Sequence, residues 1–394
     1  MFDIATTIGD ELHHMLRTAA AEGPIAVDAN SGAIVVLRYE DVERLAFDRR
    51  FAGVGLAFFD LMGITEGQLR EWYGRLMFTN EGDVHHRLRS LVARAFTPRA
   101  VEALRADTAG LAAEVLAPVL AEGGGDLVAA TALLPARVMC RLLGVPDADV
   151  AVFGGWADAL SPVFGFMTPQ QREAADSALA GLLEYVDAMA TARRRDPADD
   201  LISALLVAED EGDRLDHAEL VDMVANLLVG GHDTTASQLG CTLLTLVRHP
   251  EELDRLHERP ELVASAVSET IRFEPSIPAV PRTAAQPVDI GGTEVGAGSL
   301  VMLSTAAANR QAGVWDDPDS FDVTRFTQPE VPRLLTFGAG PHFCLGAALA
   351  RLTVEETVRA TLDLGPKLRA AGDPFDVPWR SVLGRSPVAV PVVL

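Results

Sequence analysis

Apolar residues recur with a helical period through most of the stretch from Ser90 to Phe273, which predicts a succession of amphipathic helices. The clearest runs from Leu215 to Val247. Asp216 stands where an N-cap belongs, and Glu219 three residues later completes a capping-box pattern. The run is apolar on nearly all sides and stops before Pro250. A helix of about 30 residues, roughly 45 Å long and apolar all round, belongs at the centre of a core. Further helices are predicted around Val84 to Ala95 and from Ala347 to Leu362. Strand-like patterning is confined to Ala33 to Leu37, Val288 to Leu303 and Val388 to Leu394. Glu122 to Asp126 and Arg193 to Asp200 read as loops between helices. With no repeat and no low-complexity linker, the pattern predicts a mainly α chain with small peripheral β-sheets, folded as a single domain over residues 1–394.

Composition narrows the function classes. The net charge of −23 opposes generic nucleic-acid binding, which needs basic surface to neutralise phosphates. The first twenty residues lack a basic segment followed by an apolar run, and no stretch of 18 or more apolar residues occurs, so no signal peptide and no membrane span are expected. These features point to a cytoplasmic protein. The three cysteines, Cys140, Cys241 and Cys344, are widely spaced and form neither a disulfide framework nor a zinc pattern. Cys140 and Cys241 read as buried small hydrophobes.

Cys344 differs in its surroundings, the segment Phe337-Gly-Ala-Gly-Pro-His-Phe-Cys-Leu-Gly346 followed directly by the Ala347 helix. A thiolate metal ligand needs glycines for tight turns, backbone N–H groups aimed at the sulfur, and a positive helix end near the anion. Gly338, Gly340, Gly346 and the following helix meet these needs, and Phe337 can shield the sulfur from water. The segment resembles the Phe-x-x-Gly-x-His-x-Cys-x-Gly signature of the cytochrome P-450 family, matching it at every fixed position. The resemblance implies a triangular-prism helical fold, haem b (iron protoporphyrin IX) as cofactor, and Cys344 as the metal ligand.

Other motifs stand where that family has them. Glu269 and Arg272 lie three apart on one helix face, which alone suggests a surface ion pair. By resemblance they are a buried structural pair tied to Asn309-Arg310 and Phe326. Gly230-Gly231-His-Asp-Thr-Thr235 interrupts the long helix with two glycines, unfavourable by roughly 2 kcal/mol relative to alanine. Close helix packing or passage over a ligand would each offset this. By resemblance, Gly230 and Gly231 make room for O2 in a helix kink, and Asp233 and Thr234 are the catalytic acid–alcohol pair that delivers protons there. His85 and Arg89 share a helix face, with His86 an alternative to His85. Together with Arg282 and His342 they resemble the groups that hold haem propionates. The chain departs from the family in lacking paired prolines before His85, and in Gln311 and Ala348. These departures leave the choice of substrate open.

The segment Phe51 to Phe78 carries six aromatics, Phe51, Phe58, Phe59, Trp72, Tyr73 and Phe78, enough for either a mini-core or a pocket wall. Leu160 to Met167 resembles a lid between two helices. The resemblance implies an apolar substrate pocket lined by Phe58, Phe59, Phe78, Phe164, Asn226, Val229, Pro278, Val280 and Val382. Asn226 either contacts substrate or bonds a backbone carbonyl. Arg87, Arg89, Arg94 and Arg99 form a basic island that is either a solvated face or a docking site for an acidic ferredoxin. The implied activity is insertion of one oxygen atom from O2 into an apolar small molecule, with electrons from ferredoxin and ferredoxin reductase. A peroxide-driven peroxygenase or decarboxylase and a non-catalytic haem binder are the alternatives. The Asp233-Thr234 pair argues against both.

Overall fold

The structure is a computed structural model describing residues 2–4, 6–93, 96–210, 215–381 and 384–394. Its centre is the helix His217–Arg248, 32 residues long. The capping box is formed: Glu219 N–H donates to Asp216 Oδ1 at 2.8 Å, and Asp216 N–H donates to Glu219 Oε2 at 3.0 Å. This satisfies donors that a helix start leaves open. From Leu220 to Val247 the helix is buried at most positions. It packs against Leu134–Leu143, Val150–Leu160 and Pro169–Arg195, and against Val263–Phe273 and Ala347–Leu362. Among the described residues, no helix is long and apolar enough to cross a membrane.

The helices dominate, as the pattern predicts, and the strands gather at the edges. The largest sheet has the order Ile25–Val27, Ile34–Val36, Leu300–Leu303, Val280–Ala284, Phe51–Ala52. Ile34–Val36 and Leu300–Leu303 pair in parallel, across a gap in sequence that holds most of the helical body, including the central helix. The segment expected to be a loop at 122–126 contains the strand Gly124–Asp126, which pairs with Pro391–Val393. A Cβ on Gly124 would meet Val392 O at 2.5 Å, so glycine is needed for the approach, and its missing side chain hides the strand from a pattern reading. The other expected loop is shorter than 193–200, because the helix Pro169–Arg195 continues through its arginines.

Glu269 and Arg272 are fully buried and pair at 2.7 and 2.8 Å. Arg272 also donates to the carbonyls of Asn309, Pro318 and Ser320, and Glu269 accepts from Arg325 and from Asp322 N–H. The pair thus fixes the segment leading to the cysteine loop. Arg310 turns elsewhere, donating to Phe273 O.

A hairpin, Trp379–Ser381 with Arg385–Pro387, lies against the long helix. Arg385 is buried and bonds Glu274, His13 and the Gly9 carbonyl. The cluster joins the first helix, Gly9–Glu22, to the hairpin. Burial pushes Glu274 up, but Arg385 and His13 pull its carboxyl further down, well below the usual range.

Candidate active site

A cavity of about 410 Å3 lies between the long helix and the cysteine loop. Cys344, Leu345 and Gly346 form its floor, and Gly230, Gly231 and Thr234 its roof. The loop turns as the glycines predict: φ is +72° at Gly338 and +70° at Gly340. A Cβ on Gly340 would meet Ala46 O at 2.3 Å, so the loop is pressed onto the end of the helix Tyr39–Ala46. Gly346 has ordinary backbone geometry and caps the helix Ala347–Leu362. Cys344 N–H donates to Phe337 O at 2.9 Å. The Phe337 ring lies under the Arg351 guanidinium, outside the main cavity.

Burial pushes the Cys344 thiol up, while the Gly346 N–H, Arg89 and the Ala347 N–H oppose this incompletely. A bound metal cation would reverse the balance, since a coordinating thiol is deprotonated. At one side of the cavity the His85 and His342 rings stack at 4.2 Å. His85 is buried, its Nε2 has no hydrogen-bond partner among the described residues, and burial, then His342 and Arg89, lower its pKa to about 4. His86 is exposed. Buried Arg282 lines the cavity, and Glu81 is the charge that offsets its desolvation. Arg89 donates to Phe343 O at 2.6 Å. The structure therefore brings His85, Arg89, Arg282 and His342 to the neighbourhood of the sulfur. An orphaned imidazole nitrogen and a buried guanidinium beside a sulfur-floored cavity fit a flat metal macrocycle carrying carboxylates.

Glu81 was not legible in the sequence. It bonds His342 Nε2 at 3.0 Å and accepts from Gly53 N–H at 2.6 Å. Its partner lies 261 positions away, so no local pattern marks it.

The long helix runs unbroken past Gly230 and Gly231, where a kink is expected. The two glycines differ. A Cβ on Gly230 would meet nothing within 4 Å, whereas one on Gly231 would meet Met139 Sδ at 2.9 Å. Gly230 keeps the roof open, and Gly231 admits a packed neighbour. Thr234 lines the cavity and its hydroxyl donates to Gly230 O at 2.7 Å. Asp233 does not line the cavity: its Oδ1 pairs with Arg380 of the hairpin at 3.4 Å, and its buried Oδ2 has no partner among the described residues.

Phe58, Phe78, Phe164, Asn226 and Val280 line the cavity. Phe59, Val229 and Pro278 do not. Phe59 and Val229 turn into the helical core, and the Pro278 carbonyl accepts from Ala306 N–H at the sheet margin. Val382 lies outside the described residues. The aromatic segment serves both expected purposes, since Trp72 and Phe59 are core while Phe58, Tyr73 and Phe78 face the cavity. Met77, Met139 and Ile277 complete the wall. Their apolar side chains carry no chemical signature that would separate them from core residues in the sequence.

A helical body with Cys344 on the floor of a cavity beneath the central helix has the layout of a haem protein. The family model described as Cytochrome P-450 matches residues 153–363. The nocardicin C N-oxygenase of Nocardia uniformis subsp. tsuyamanensis is 40% identical over 390 residues, covering 97% of this chain and 95% of that one. The mycinamicin IV hydroxylase/epoxidase of Micromonospora griseorubida is 37% identical over 367 residues, covering 92% and 89%. The crystal structure of CalO2 superposes with a TM-score of 0.91 at 30% identity, covering 100% of this chain and 98% of that chain. The chain belongs to the cytochrome P-450 family. It is a haem-binding monooxygenase of bacterial type, using O2, a small-molecule substrate and electron-transfer partners.

Proposed function

We propose that residues 1–394 act as one haem-binding unit that hydroxylates or epoxidises a largely apolar product of secondary metabolism. The observation carrying this reading is Cys344 at the floor of an apolar cavity roofed by Gly230 and Thr234. The names of the relatives support the metabolic setting, since they act on nocardicin C and mycinamicin IV. Electrons come from a ferredoxin and its reductase in the cytoplasm, supported by the acidic chain's exposed Arg99 on a helix packed against the Ala347–Leu362 helix.

When bound, haem supplies the iron that the thiolate tunes for O–O bond cleavage. The chain's residues do the remainder. Cys344 Sγ would ligate the metal, with the Gly346 and Ala347 N–H groups orienting the sulfur. His85, Arg89, Arg282 and His342 would hold the propionates, with the unpartnered His85 Nε2 free to donate. Gly230 leaves room above the ring. Asp233 Oδ2 takes up a proton on the side reached by half-exposed Arg380, and Thr234 Oγ1 presents a hydroxyl to the cavity. Phe58, Phe78, Phe164 and Val280 exclude water around an apolar substrate.

Replacing Cys344 with His tests the reading. The ferrous carbon-monoxide band typical of thiolate-bound haem is expected to disappear while haem is retained. Survival of that band would refute Cys344 as the ligand.

A further inference from the structure

A second cavity of about 170 Å3 lies between the long helix, the end of the helix Gln68–Arg75 and the helix Gly82–Ala93. Met77 and Asn226 line both this chamber and the main cavity. The two spaces therefore adjoin, with Met77 and Asn226 standing between them. Asp222, Asn226, Gly230 and Thr234 are four apart and share one helix face, which roofs both spaces. At 1.5 Å per residue, Asn226 stands about 6 Å from Gly230 and about 12 Å from Thr234 along the helix axis.

The chemistry of the walls selects what can lie there. Asn226 is 7% exposed, and its side-chain amide has no hydrogen-bond partner among the described residues. A buried amide in this position wants a donor and an acceptor from a ligand. The chamber's charged groups are paired, and the NH2 of its other amide is engaged. Arg75 pairs with Asp222 at 2.6 Å, Arg87 pairs with Glu219, and the Asn80 amide donates to the carbonyls of Gly74 and Leu76. Among the described residues the walls thus offer balanced charge and, in Asn226, one amide with both ends open. An ionised group entering would lose its hydration without gaining a counter-charge. A neutral amide or hydroxyl would meet Asn226 and satisfy it.

We propose that this chamber is an accessory subsite that takes the uncharged, hydrogen-bonding end of the substrate past Asn226. The inference rests on the monooxygenase reading of the main cavity. It specifies the substrate class as an apolar skeleton bearing a neutral amide or hydroxyl group on the order of 10 Å from the carbon to be oxidised. It also explains a polar residue set into an otherwise apolar roof.

The test is a spin-state titration of the ferric holoenzyme with dodecanamide, 1-dodecanol and dodecanoate, together with shorter and longer amides. Wild type is expected to bind dodecanamide and 1-dodecanol about tenfold more tightly than dodecanoate, one good hydrogen bond together with the cost of burying an unpaired ion. Asn226→Leu is expected to remove about threefold to tenfold of the amide's affinity. Val84 lines the chamber but not the main cavity and is half-exposed, so Val84→Phe fills the subsite from behind without disturbing the roof. That variant is expected to move the preferred amide to a shorter chain. Unchanged chain-length preference in Val84→Phe would overturn the subsite, even if Asn226→Leu weakened the amide. So would equal affinity for dodecanoate and dodecanamide, or no spin-state response to any of the series, which would mean the chamber holds water only. The ferrous carbon-monoxide band is recorded on every sample. Its loss in wild type would count against the haem-thiolate reading, whereas its persistence alongside any of these results counts against the subsite alone.

Discussion

Gly230 and Gly231 are adjacent, identical in sequence terms and different in consequence. Each should lower helix stability by about 1 kcal/mol relative to alanine. Gly230→Ala adds a methyl facing open space, so Tm is expected to rise by about 1 °C while carbon monoxide association slows, because the methyl enters the roof. Gly231→Ala meets Met139 Sδ at 2.9 Å, so its gain in helix propensity is offset by displacing that side chain, and Tm should stay near wild type. Thermal melts and flash-photolysis rebinding of both variants check this pair, and equal behaviour would contradict the distinction. The sequence marks both positions as costly without saying which neighbour benefits, since Met139 lies on another helix. Cys344 was readable because its need for turns and aimed N–H groups is met by its own neighbours. Glu81, Arg380 and Met77 were not, because each acquires meaning from a partner or a space supplied by a distant segment.

Elements were legible in proportion to how locally they are determined. The long helix carries its start signal and its buried surface in its own residues, so its limits were close to those observed. The strands are only two to five residues long, and Gly124–Asp126 depends on a partner at the other end of the chain. The Trp379–Ser381/Arg385–Pro387 hairpin depends likewise on Glu274 and His13. This dependence has a pH signature. Burial, ahead of the Arg310 charge, lowers His13 from 6.5 to about 4, so between those values the unfolded chain takes up a proton that the folded chain refuses. Stability is therefore full above pH 6.5 and declines as the pH falls from 6.5 to 4, by on the order of 3 kcal/mol. His85, also lowered to about 4, adds in the same direction. Urea unfolding followed by circular dichroism at pH 7.5 and 4.5 is expected to show the decline, and His13→Gln to make it shallower. An unaltered slope in that variant would show that His13 does not contribute.

Over the whole molecule, charge is distributed less simply than the run of arginines suggested. Arg87 pairs with Glu219 and Arg89 donates to the cysteine loop, while Arg94 lies outside the described residues. Arg99 is exposed on the helix Pro98–Ala103, which packs against the helix after Cys344. If an acidic ferredoxin docks on this side, Arg99→Glu should slow the first electron transfer several-fold at low ionic strength. The difference should vanish near 1 M salt, where the Debye length is about 3 Å. An equal rate at low salt would place the docking face elsewhere. The contact of Gly340 with the Ala46 carbonyl bears on handling of the protein. The N-terminal half of the cysteine loop is thus seated on a helix that packs on the small sheet, while its C-terminal half runs into the helical bulk. Mild conditions that loosen only that margin would free the prosthetic group before far-ultraviolet helicity declines. Shelf life would then be governed by the smaller layer, and stabilising substitutions there would extend it more than any improvement to the larger core.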